Sequence, residues 1–174
     1  GKWLFDRCEI LGREMLTTLS SIGESWDVVN NSSLGEFGSI ERSPTVAAYA
    51  GILSLLSSIG DPGEVMLAGL LSDIGMLSLK PSLSKKLRQE FSTGSLYGEE
   101  QAAYQNHPLK SIEIALQRKL PLKESVKDIL LATHERADGN GFPNRRSGDK
   151  IPLEAMIIQY SEMIDRKAMI RMGS

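Results

Sequence analysis

Apolar residues recur along this 174-residue chain at helical intervals, and clusters of Gly, Pro, Ser and Asn separate the runs. Leu4, Cys8, Leu11, Met15, Leu19 and Ile22 fall three and four positions apart, the spacing of one face of an amphipathic helix. The steps run close to a heptad, which suits a helix pairing with a second subunit; packing on its own domain explains them equally well. A polar stretch centred on Asn30-Asn31-Ser32-Ser33 follows and predicts a loop or linker. Pro44 then opens a helix, with Val46, Tyr49, Ala50 and Leu53 on one side. Gly60-Asp61-Pro62-Gly63 is a stop-and-turn cluster. Beyond it, Leu67, Leu70, Leu71 and Ile74 line a second stripe that Gly75 is placed to end. Residues 76–98 read as irregular, with a short helix around Lys85–Glu90. Pro108 opens a helix carrying Leu109, Ile112 and Leu116, and Val126, Ile129, Leu130 and Thr133 form one face of the next. Pro152 starts the last, with Ile157, Tyr160 and Ile164 inward. The pattern predicts an all-α bundle: an N-terminal linker or dimerisation helix over 1–24, a loop over 25–43 and a helical domain over 44–172.

Charge and composition narrow the class. A net charge of −2 argues against a binder of a nucleic-acid polymer or an anionic membrane, which would need a basic surface. No apolar run approaches the roughly 18–20 residues that span a bilayer, so no membrane segment is expected. Cys8 is the lone cysteine, which rules out an internal disulfide and predicts a reducing, cytoplasmic setting. Asp6, Arg7 and Glu9 interrupt any signal-peptide core at the start.

Three polar residues sit where local physics would not choose them. Asp73 is expected in the last turn of its helix, where the dipole disfavours an anion by about 0.3–1 kcal/mol, and near the buried edge. A carboxylate there wants a cation, either a metal or a basic side chain. His134 and His107 are the two histidines of the chain. His134 falls at a helix end, where it can serve simply as a dipole partner, and His107 can simply flank the helix start at Pro108.

Taken in order, these pieces resemble a known family. Leu70-Leu71-Ser72-Asp73-Ile74-Gly75, His107-Pro108, the run from His134 to Pro143 (HERADGNGFP) and Ile151-Pro152-Leu153-Glu154-Ala155 resemble the HD-GYP family. That family belongs to the HD superfamily of metal-dependent phosphohydrolases. The resemblance covers residues 42–166 and implies a helical bundle with a central metal site and hydrolysis of the bacterial messenger cyclic di-GMP. In such chemistry an Asp and several His hold ions about 3.5–4 Å apart, which activate water and neutralise the phosphate.

Measured against that pattern, the site is depleted. Ser72 stands at the His of the HD pair, Met76 at a Lys, Arg42 at an upstream His, and Thr133-His134 where the family has two His. Glu162 stands at an Asp, Asp165 matches a later Asp, and Phe142 takes the place of the signature Tyr. The resemblance leaves Asp73, His107, His134 and Glu162 as remnant ligands and no assigned catalytic residue. Four such donors are enough for a single divalent ion, although no cofactor is the leading expectation. Arg42 is always charged and cannot ligate, so it is expected to replace the lost metal by pairing with Asp73. Asp138, Gly139, Gly141, Phe142 and Pro143 read either as a tight turn or as a loop contacting a ligand or partner. The expected function is a non-catalytic signalling domain that binds a protein partner, cyclic di-GMP, or both. The alternatives are a weak metal-dependent phosphodiesterase and a relay module, with a homodimer if the Leu4–Ile22 helix pairs across subunits.

Overall fold

The computed structural model describes residues 38–90 and 96–172, with side chains over 42–87 and 96–166. The regular elements within them are helical: α1 (Gly38–Ser57), α2 (Pro62–Leu71), a 3-10 turn (Ile74–Ser78), α3 (Pro81–Glu90), α4 (Glu99–Gln105), α5 (His107–Gln117), α6 (Glu124–Ala132), a 3-10 turn (Gly148–Lys150) and α7 (Leu153–Met172). The all-α expectation therefore holds. No helix of the described residues is long and apolar enough to cross a membrane. The Leu4–Ile22 stripe lies outside them.

The local chemistry fixes several boundaries. Asp61 accepts the Glu64 N–H at 2.9 Å and caps α2, with Pro62 in the first turn where no N–H is required. α1 and α2 approach closely because Gly69 faces Ala47; a Cβ at Gly69 would lie 3.3 Å from the Ala47 Cα. α1 also packs on α7, and α6 lies against α2, α5 and α7. Their shared core contains Val46, Ala50, Val65, Leu71, Ile74, Val126, Leu130 and Ile158. Burying each large aliphatic side chain stabilises by about 1.5–3 kcal/mol, which fixes the helices around one centre. A second cluster of Met76, Leu79, Leu83 and Leu96 packs with Tyr104 beside it.

Several expectations are corrected. The loop expected over 25–43 is helical from Gly38, and Pro44 lies inside α1 rather than in its first turn. One missing N–H is tolerated because Val46, Ala47 and Ala50 bury this stretch and Arg42 ties it to α7. Residues 76–98, read as irregular apart from a short helix around Lys85–Glu90, contain the rest of the 3-10 turn and a helix that begins earlier, at Pro81. α5 buries His107, Pro108, Ser111 and Ala115 and leaves Leu109 and Leu116 exposed; small residues face inward because the 3-10 turn presses on this helix. On α7, Ile157 is buried as expected but Tyr160 is exposed, since the inward face runs through Ala155, Ile158, Ser161 and Asp165.

Candidate metal centre and the cavity above it

α2 ends at Leu71, so Asp73 lies beyond its last turn, at the bend before the 3-10 turn. Side chains brace that bend. The Ser72 hydroxyl donates to Gly69 O at 2.9 Å, and the Ser111 hydroxyl donates to Ser72 O while accepting the Gly75 N–H, both at 2.9 Å. Gly75 is required here for proximity rather than for helix termination: a Cβ would fall 1.9 Å from the His107 carbonyl oxygen. Its lack of a side chain lets the start of α5 reach Asp73.

Three ligand atoms meet at this point. Asp73 Oδ1 lies 3.3 Å from His107 Nε2 and 3.6 Å from His134 Nε2, and the two Nε2 atoms are 2.9 Å apart. The Asp73, His107 and His134 ligand atoms all fall within 4.8 Å of one another. His107 Nδ1 lies 2.6 Å from the Tyr104 carbonyl, which can only accept, so Nδ1 carries a proton and Nε2 of the neutral ring is a bare lone pair. Burial lowers the pKa of His134, which keeps that ring neutral near pH 7. Burial alone would push the Asp73 carboxyl up, but its contacts with the His107 and His134 rings, each a donor once a proton sits on Nε2, outweigh it and hold the group well below the usual carboxylate range. Three electron-rich atoms this close need a cation among them, a shared proton or a metal ion. The chemistry of the donor set, with His107 steadied from behind by a carbonyl, fits one Zn²⁺-, Mn²⁺- or Fe-like ion.

Glu162 stands apart from those three but borders the same space. Its Oε1 is buried and has no hydrogen-bond partner among the described residues. Burial, reinforced by the Asp73 charge, pushes its carboxyl up to about 8. A cavity of about 610 Å³ opens above, lined by His134, Phe142, Tyr104, Glu162, Arg136 and Arg166, among others. Phe142 stacks on His134 with centroids 5.0 Å apart and meets the Tyr104 ring at 5.4 Å. Burial and the nearby Asp73 and Glu162 charges raise the Tyr104 phenol, so it keeps its proton.

The expected Arg42–Asp73 pair is corrected. The Arg42 guanidinium bonds to Asp165, joining α1 to α7, while the contacts of Asp73 are the two histidines. Asp165 is buried in the first place, and His107 already occupies the side of Asp73 that faces α5. Thr133, like Ser72, is buried and turned into the fold, its hydroxyl donating to Leu130 O at 2.9 Å. Met76 packs in the second apolar cluster.

The 138–143 loop is built as a braced turn. Gly139 adopts φ +75, which favours glycine; Gly141 does not, and is required because a Cβ would lie 2.5 Å from the Glu135 Cα. Asp138 receives Arg136 Nη2 at 2.7 Å and the Asn140 N–H at 3.0 Å. Phe142 N–H reaches His134 O at 3.1 Å, and Pro143 follows through a cis peptide bond. Pattern reading missed Glu135, Gln159, Ser111, Tyr104 and Arg166. Glu135 was the accessible one, since a carboxylate inside a motif yet buried must be bonded. The others carry no sequence signal beyond helical register.

An all-α bundle in which a bend, a helix start and a helix end bring one carboxylate and two imidazoles together is the architecture of an HD-type domain. The chain matches the HD domain family over residues 31–165 and belongs to it. Its relatives place it with the HD-GYP type. It is 31% identical over 122 residues to the 3'3'-cGAMP-specific phosphodiesterase 2 of Vibrio cholerae, covering 69% of this chain and 22% of that protein. The 3'3'-cGAMP-specific phosphodiesterase 3 of the same organism is 31% identical over 126 residues, 71% of this chain and 26% of the relative. The cyclic di-GMP phosphodiesterase response regulator RpfG of Xanthomonas campestris is 29% identical over 101 residues, 58% of this chain and 25% of the relative. The chain thus spans about a quarter of the length of the curated relatives it matches.

Proposed function

We propose that this chain is a bacterial signalling domain of the HD-GYP type that recognises a cyclic dinucleotide, or a protein that responds to one, without hydrolysing it. Two-metal phosphodiester cleavage needs two sets of ligands about 3.5–4 Å apart. Asp73, His107 and His134 supply one set. One observation carries the reading: the residues that stand at the three lost histidine positions of the resemblance are bonded within the fold. Ser72 donates to Gly69 O, Thr133 to Leu130 O, and Arg42 to Asp165. A divalent ion held by Asp73, His107 and His134, with Glu162 next to them, would supply a positive charge at the cavity floor. The chain's own residues shape what lies above: Phe142 and Tyr104 form an aromatic wall, and Glu135 holds the loop that carries Phe142.

A second reading, a weak phosphodiesterase using one ion, is favoured by the convergence of those three ligand atoms and by the activities named for the relatives. The two separate in one experiment on purified protein: elemental analysis after loading with Mn²⁺, Fe²⁺ or Zn²⁺, followed by chromatography of cyclic di-GMP and 3'3'-cGAMP incubated with it. The expected result is at most one ion per chain, binding of a dinucleotide and no linear product. Two ions per chain with turnover that chelation abolishes would overturn the reading; turnover with one ion would establish the second.

A further inference from the structure

The cavity wall contributed by α7 consists of Gln159, Glu162, Met163 and Arg166, one helical face at i, i+3, i+4 and i+7. Three of these have evident duties. Gln159 Nε2 donates to Glu135 O at 2.9 Å and to Ala132 O at 3.2 Å, bracing the motif loop. Glu162 points its carboxyl at the buried floor, and Met163 adds apolar surface. Arg166 is left over. Among the described residues its side chain makes no hydrogen bond or ion pair, although it is exposed and lines the cavity. The other lining cation, Arg136, is engaged by Asp138 through both Nε and Nη2. The charge of Arg166 is felt by Glu162, Tyr104 and His134, all of which line the same cavity.

The local charge makes this cation matter. Asp73 and Glu162 place two carboxyl groups below a space that, on the reading above, admits a ligand with two negative phosphodiesters. Such a ligand needs a positive group in the wall as well as at the floor. A guanidinium is the side chain best matched to a phosphate, because its planar fork can meet two oxygens at once.

We propose that Arg166 is the anion-recognition residue of this cavity, its guanidinium taking a phosphate of a cyclic dinucleotide on the side that faces Asp73, His107 and His134. This rests on the reading of the cavity as a cyclic-dinucleotide site. Arg166 replaces the charge that a second ion would have offered and ties affinity to a single turn of α7.

The test is calorimetry on the full chain loaded with Mn²⁺, with cyclic di-GMP and 3'3'-cGAMP as titrants and inorganic phosphate as a third. Arg166→Ala is expected to weaken dinucleotide binding about tenfold to a hundredfold, the range for losing a charged hydrogen-bonded contact. Arg166→Lys should recover part of that loss, and Arg118→Ala, at the exposed end of α5, should bind as the wild type does. Mn²⁺ stoichiometry should not change in any of them. If the wild type binds a dinucleotide and Arg166→Ala binds it equally well, the inference is overturned while the reading of the cavity stands. If the wild type binds neither dinucleotide, that reading falls, and the phosphate arm decides the subsite: phosphate binding lost in Arg166→Ala keeps it, and its absence overturns it.

Discussion

Two backbone N–H groups end on the carboxylate of Glu135, those of Asn144 at 2.6 Å and Arg146 at 2.9 Å. The side chain is almost wholly buried, so among the described residues those two donors are what offsets its desolvation. Next to His134 in sequence, it faces away from the Asp73–His107–His134 cluster in function: it holds the far half of the loop while His134 O holds Phe142 N–H. Glu135→Ala should cost about 2–4 kcal/mol in a urea melt, the loss of two charge-assisted bonds plus a cavity. Glu135→Gln, which keeps one good acceptor, should cost roughly half as much. Amide exchange over 139–147 should accelerate in both; unchanged exchange there would show that the loop does not hang on this residue.

At the scale of elements, α1 and α7 are tied across the bundle by Arg42 and Asp165, with side chains 29% and 7% exposed. Removing Arg42 leaves an almost buried carboxylate without its partner, which is costlier than removing both. A double-mutant cycle with Arg42→Met and Asp165→Asn should give a coupling of about 1–3 kcal/mol. The parallel cycle with Asp73→Asn should give little coupling, since Asp73 takes its partners from α5 and the end of α6. A large Arg42–Asp73 term would restore the pairing expected from sequence. The same tie explains how α1 accommodates Pro44: helix packing on both sides of the proline outweighs one absent backbone bond.

Across the whole molecule, the Asp73–His107–His134 cluster is assembled from the bend after α2, the start of α5 and the end of α6, with Glu162 of α7 alongside. An ion seated there would cross-link those segments and bind the unfolded chain poorly. At a hundred times its dissociation constant it should stabilise by about 2.7 kcal/mol. A thermal melt with Mn²⁺ or Zn²⁺ should therefore rise by several degrees and fall back with a chelator. His134→Ala should abolish the rise. Equal shifts in His134→Ala and the wild type would place the ion elsewhere.

The order of apolar stripes, Gly-Pro punctuation and the HERADGNGFP run determined a helical bundle of the HD-GYP kind and singled out Asp73, His107 and His134, because short-range spacing encodes helices and a turn of that composition is rarely built otherwise. Glu162 was legible only by alignment to the family pattern, and Arg166 not at all. Which face of α5 or α7 turns inward, why Gly75 and Gly141 lack room for a Cβ, and whether Arg42 meets Asp73 or Asp165 were decided by tertiary packing. Each depends on the distance between segments far apart in the chain, and a linear pattern of polar and apolar residues carries no information about which of two carboxylates a folded bundle will bring within reach of one guanidinium.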